Sequence, residues 1–296
     1  MFKNPVYMKE VKSSSRSTRT IITILAFDAI LAFAGLISIS SVSSHATHSG
    51  SIDYSAMLEL YILIATVEFI LLLLIIPGLT SSTISGEKEH QTFELLLSTR
   101  ISPLSIVIGK LEASLTNILF LILSSLPILS LVFIYGGILL TDLLLLLLVF
   151  FIMAVFIGSA GIMFSSIFKR TLVATVASYV FLFIISVISV LLVNGNKIVN
   201  SLGTYDPYVL YTSMQSTSVS WVNYIMLINP AITFYHLLNI QAGNPSALLD
   251  LMNSNGNSES NIIITNWLPI SLFIQTILAI LFLGIASQKI KNTQNK

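Results

Sequence analysis

Six apolar runs, each long enough to cross a lipid bilayer, constrain this chain more than any other feature. A membrane-crossing helix needs about 20 predominantly apolar residues. Residues 21–40, 57–79, 103–134, 139–168, 171–193 and 262–286 meet that length. The third and fourth runs exceed what a bilayer needs, so they should tilt or project into water. The first has too long an apolar stretch for a signal-peptide core, and no small-residue cleavage site follows it, so it reads as a retained span. Only 9% of residues are charged, against about 25% in soluble domains. Lipid must therefore cover much of the surface, and the expected class is an all-α integral membrane protein with six transmembrane helices.

The basic residues give an orientation. If the N-terminus is inside and the spans alternate, Lys3, Lys9, Lys12, Arg16, Arg19, Lys88, Arg100, Lys110, Lys169, Arg170, Lys289, Lys291 and Lys296 all fall in inner segments. Lys197 alone falls outside. That asymmetry is the positive-inside pattern, and a five- or seven-span count breaks it by placing the C-terminal lysines outside. Both termini are expected in the cytoplasm.

Three segments lie outside the spans. Residues 1–20 are basic, and Asn4-Pro5 suits a helix start. Val6, Tyr7, Met8 and Val11 would form an apolar side and Lys9, Lys12, Arg16 and Arg19 would meet anionic headgroups, as in a helix lying on the inner membrane surface. Residues 80–102 form a polar inner connection. There Ser85 is expected to cap a helix with Glu87 and Glu89 in its first turn, and Phe93, Leu96 and Leu97 on one apolar face suited to a groove on a partner. Residues 194–261 form an outer segment rich in Asn, Ser and Gly, with Tyr205, Tyr208, Tyr211, Trp221 and Tyr224 interleaved. Within it, 224–240 is apolar but interrupted by Asn229-Pro230, which predicts a re-entrant or interfacial helix pair. The organisation is thus an interfacial helix (1–20), spans one to five with the inner helix at 86–98 (21–193), the outer segment (194–261), and span six with a cytoplasmic tail (262–296).

Several chemistries are excluded or disfavoured. The chain has no cysteine, which removes disulfides, thiolate metal sites and thiol nucleophiles. His45, His48, His90 and His236 are scattered; His45 and His48 are close only in a Ser/Gly/Thr-rich loop, and no metal site is expected. A net charge of +1 gives no nucleic-acid footprint. Gly158-Ser159-Ala160-Gly161 reads as a small-residue helix contact, since no span carries a histidine to serve a serine nucleophile. Lys110 is expected to snorkel to the inner surface. Asp28 and Glu68 fall inside spans, where carboxyls face the protein interior or a wet cavity. They would line a translocation path, relay protons, bond helix to helix or stand as protonated acids. Glu59 and Glu112 sit nearer the span edges.

The run Gly86-Glu87-Lys88-Glu89, Thr92-Phe93-Glu94-Leu95-Leu96-Leu97, Ser102-Pro103 and Gly109-Lys110 resembles the signature between the second and third spans of type-2 ATP-binding-cassette (ABC) transporter permeases. Asn4-Pro5-Val6, Lys9-Glu10 and Asn229-Pro230 add weaker likenesses, and the resemblance covers nearly the whole chain. It implies that Gly86, Glu87, Lys88, Glu89, Thr92, Phe93, Glu94, Leu96 and Leu97 belong to a coupling helix docking on an ABC ATPase subunit. It also implies a second permease unit, identical or related, and export of a peptide, drug or lipid-like substrate; separately, the abundance of Ile, Asn, Ser and Lys with no Cys suggests a bacterial plasma membrane. A departure is His90-Gln91, where many members have Arg-Gly; it is expected to alter partner specificity more than fold. No G-x-x-x-x-G-K-[ST] run exists, so ATP and Mg belong to the partner and the chain is no enzyme by itself. Two other readings remain at this point. One is an ion-coupled secondary transporter using Asp28 and Glu68; the other is a membrane sensor or immunity protein whose tyrosine-rich outer segment binds a peptide or lipid.

Overall fold

A computed structural model describes residues 5–14, 17–49, 54–94, 101–134, 138–202, 221–253 and 262–294. The described residues are helical wherever they are regular. This follows from an apolar solvent, which leaves each backbone N–H and C=O to be satisfied within its own segment. Among the described residues, six helices are long and apolar enough to cross a membrane, so the chain is a multi-pass integral membrane protein. They agree with the six apolar runs to within a few residues at most ends.

The first unit comprises Met1–Ser178 and Leu278–Lys296. Helix α1 (Pro5–Ser14) begins at proline, as expected, and packs along α5 (Pro103–Ser124). Val6 is buried there, Tyr7 and Val11 are half-buried, and Met8 stays exposed. Asn4 lies outside the described residues. Helix α2 (Thr18–Ser49) packs on α3 (Tyr54–Thr80). The polar connection then opens with α4 (Ser82–Glu89). The third span is broken: α5 stops at Ser124, and α6 (Leu126–Ile134) carries Pro127 as its second residue. Proline has no N–H to give and crowds the carbonyl four residues back, which accounts for the interruption. Helix α7 (Leu140–Ile167) is the centre of the unit and packs on α3, α4 and α5.

The α3–α7 crossing is close because α7 is small there. A Cβ built on Gly161 would lie 2.1 Å from Thr80 Oγ1 and 3.4 Å from the Ser81 amide nitrogen. Ser159 is buried, with its hydroxyl donated to the Phe156 carbonyl at 2.7 Å. The Gly-Ser-Ala-Gly run is therefore a helix contact, as its composition indicated.

The second unit is Tyr179–Ile277. It holds most of α8 (Thr171–Leu202), a 3-10 turn at Trp221–Ile228, α9 (Pro230–Gln241), α10 (Ala247–Asn253), α11 (Ile262–Thr265) and the start of α12 (Trp267–Gln294). The apolar stretch is indeed broken at Asn229-Pro230: Asn229 caps α9 by accepting from the Ala231 N–H at 2.8 Å, and Pro230 takes the first helical position. Met226, Leu227, Leu248 and Ile264 pack around a fully buried Trp267. Tyr205, Tyr208 and Tyr211 lie outside the described residues.

Candidate coupling site

The connection between the second and third spans differs from its expected form. Ser85 does not open a helix. It lies inside α4, fully buried, with its hydroxyl donated to the Ser81 carbonyl at 2.7 Å. Glu87 and Glu89 accordingly sit in the last turn of a helix rather than the first. The cause is a partner 80 residues away: Ser165 Oγ accepts the N–H groups of both Ile84 (2.9 Å) and Ser85 (2.8 Å). Donors left free by the turn at Ser81 are satisfied by α7, so no cap is needed at 85.

Three consecutive charges then reach three different helices. Glu87 pairs with Lys110 of α5 at 2.8 Å. Lys88 donates to the carbonyls of Ser165 (3.4 Å), Ser166 and Phe168 (3.5 Å), which are the free acceptors at the C-terminal end of α7. A cation there meets the negative pole of the helix. Lys88 Nζ also stands 5.5 Å from the Phe93 ring centroid, within reach of a cation–π contact. Glu89 Oε2 accepts from the N–H (3.0 Å) and hydroxyl (2.7 Å) of Thr171, the first residue of α8. An acid at a helix N-terminus meets the positive pole.

Lys110 does not snorkel. It is 2% exposed, and its ammonium has three partners: Glu87, Glu10 of α1 at 3.2 Å and the Thr83 carbonyl at 2.9 Å. An ammonium has three hydrogens to give, so the group is fully satisfied. Neither Lys110 nor Glu10 was read from the sequence as a partner of this segment. The available signal was that a lysine embedded in an apolar run must find a counter-charge.

Helix α4 ends in a six-residue cap. The Thr92 N–H returns to the Glu87 carbonyl at 2.9 Å and the Gln91 N–H to the Lys88 carbonyl at 3.2 Å, with Gln91 at φ 57°. This is a Schellman arrangement, whose left-handed position is usually glycine. Helix α9 makes the same closure with Gly243 at φ 77°. The His90-Gln91 departure therefore bears on the backbone as well.

Of the remaining expected residues, Phe93 is 4% exposed and packs with Val6, Ile84, Ile106 and Ile290. Gly86 has room for a Cβ, whose nearest atom would be Thr171 Cγ2 at 3.6 Å. Thr92 and Glu94 are exposed, as are His90 and Gln91. Leu96 and Leu97 lie outside the described residues. Asp28 and Glu68 are far along the chain from this site and bond to the consecutive serines Ser124 and Ser125. Glu59 and Glu112 are exposed. Among the described residues, no group of three or more His, Cys, Asp or Glu could hold a metal ion.

Residues 5–288 match the family model described as ABC-2 family transporter protein. No curated protein matches the chain.

Proposed function

The chain belongs to the ABC-2 family of transporter proteins, and we propose that it is the permease subunit of an ATP-driven exporter whose energy enters through residues 86–97. In this reading both termini are cytoplasmic, and α1 lies on the inner membrane surface. A second permease unit, identical or related, completes the path, and separate ABC ATPase subunits carry ATP and Mg. A peptide, drug or lipid-like substrate moves outward by alternating access. The outer segment 194–261 contributes the re-entrant or interfacial pair at the far side.

One observation carries the reading. Glu87, Lys88 and Glu89 tie one short helix to α5, α7 and α8 at once. A displacement applied to α4 would be delivered to three spans. Six of the nine coupling residues then divide by role. Glu87, Lys88, Glu89 and Phe93 transmit, while the exposed Thr92 and Glu94, with His90 and Gln91, offer the face to the ATPase.

The division is testable in the complex of this chain with its ATPase. Glu94→Lys should reduce co-purification of the ATPase. Glu87→Gln should leave co-purification unchanged and lower coupled ATP hydrolysis by about tenfold, the equivalent of about 1.4 kcal/mol. Loss of ATPase binding in both variants would refute the division of roles. Full binding and full activity in both would refute the coupling assignment.

A further inference from the structure

Two carboxyl groups and two consecutive serines meet where the third span breaks. Ser125 Oγ lies 2.8 Å from the Ile122 carbonyl and 2.6 Å from Glu68 Oε1. Ser124 repeats the arrangement, 2.8 Å from the Leu121 carbonyl and 2.9 Å from Asp28 Oδ1. A hydroxyl has one hydrogen and a backbone carbonyl can only accept. Each serine that donates to its own helix can only accept at its second contact. Ser125 has one hydrogen for both contacts: given to Glu68 it meets an ionised carboxylate, and given to the Ile122 carbonyl it leaves the Glu68 contact to a neutral carboxyl, the arrangement that the burial of Glu68 favours.

A separate observation points the same way. Glu68 is fully buried, and its Oε2 has no hydrogen-bond partner among the described residues. An ionised carboxylate shares its charge over both oxygens, and leaving one of them unsolvated is far more costly than leaving a neutral carbonyl oxygen so. The charges around it do not help an anion either. Asp28, on α2, faces Glu68 with the same sign. On the other helices packed against α3, Lys110 is committed to Glu10 and Glu87, Glu112 is exposed, and Asp142 accepts from the Leu139 N–H at the start of α7. The charges of α4 reach α5, α7 and α8, as described above.

We propose that Glu68, with Asp28 beside it, is a proton-binding site in which neutral Glu68 donates its O–H to Ser125 Oγ and so ties α3 to the break in the third span. The ligand is a proton, and the tie lasts only while the proton is bound. Ionisation would remove the donor and set two like charges against each other beside the α5–α6 break.

The test uses the purified full-length protein in lipid nanodiscs. Dicyclohexylcarbodiimide reacts with protonated carboxyls in apolar surroundings, and peptide mapping locates the adduct. A carboxyl of ordinary pKa, about 4.3, carries a proton in about one molecule in 500 at pH 7, so labelling at Glu68 should exceed that of water-exposed carboxyls roughly 100-fold. Infrared spectra at pH 7 should show a protonated-carboxyl band that weakens in Glu68→Gln and persists in Glu59→Gln. Glu68→Gln should keep the wild-type melting temperature, because an amide N–H replaces the donor. Absence of the band at pH 7, a band unchanged in Glu68→Gln, or adduct no greater at Glu68 than on exposed carboxyls would each overturn the proposal.

Discussion

Replacing Lys110 by methionine keeps an apolar stem of similar length and removes one ammonium from a site only 2% exposed. Three acceptors lose their partner: Glu87 Oε1 at 2.8 Å, the Thr83 carbonyl at 2.9 Å and Glu10 Oε1 at 3.2 Å. Removing one member of a buried ion pair typically costs about 3–5 kcal/mol, because the other charge is left uncompensated. Here the partners differ. Glu87 is 18% exposed and Glu10 34% exposed, so Glu10 recovers much of its hydration and its share falls toward that of a surface pair, below about 1 kcal/mol. The expected loss for Lys110→Met is therefore about 2–4 kcal/mol, most of it at Glu87. A double-mutant cycle separates this from lost packing. Lys110→Met and Glu87→Gln should be less than additive by about 1–3 kcal/mol, whereas Lys110→Met and Glu10→Gln should couple by less than about 1 kcal/mol. Equilibrium unfolding in mixed micelles, followed by circular dichroism as a denaturing detergent is titrated in, gives all the required differences. Full additivity of Lys110→Met and Glu87→Gln, within about 0.5 kcal/mol, would refute the claim that Lys110 holds α4 to α5.

Gln91→Gly should stabilise the cap of α4 by up to about 1 kcal/mol, since a left-handed residue with a Cβ costs about 1–2 kcal/mol and glycine returns part of that as unfolded-chain entropy. The same micelle titration reads it, and a destabilised variant would contradict the cap. Gly161→Ala should destabilise by about 1–3 kcal/mol, because its Cβ meets Thr80 Oγ1 at 2.1 Å with the Ser81 backbone behind it. Gly158→Ala should be milder, its nearest atom being the flexible end of Leu111 at 3.3 Å. Gly284→Ala, with nothing within 4 Å among the described residues, should be neutral or gain up to about 1 kcal/mol from helix propensity. Melting temperatures that failed to rank in this order would refute the packing described for α3 and α7.

The parts of this protein that were legible in one dimension depend on local properties. An apolar run of sufficient length must be a helix in lipid whatever it touches, so the six spans agree with their sequence limits at most ends. Asn229-Pro230 caps a helix because the signal and its effect lie within two residues. The connection between the second and third spans was legible as a segment and not as a geometry. A serine ahead of acidic residues is an N-cap signal, and Ser85 carries it; Ser165, 80 residues on, supplies the hydroxyl that makes the cap unnecessary. Lysine near the end of a span can snorkel or pair, and what decides for pairing at Lys110 is Glu10, on a helix 100 residues earlier, together with Glu87. In each case the local signal allowed two outcomes and a distant side chain selected one. The consequence reaches the functional reading. A charged run between spans is easily taken as a surface offered to a partner, yet Glu87 and Lys88 are bonded inward and Glu89 caps a neighbouring span. Loss of transport after mutating Glu87 would then report a broken link between α4 and α5, not a lost contact with the ATPase. Only binding and hydrolysis measured separately on the same variant can tell those two failures apart.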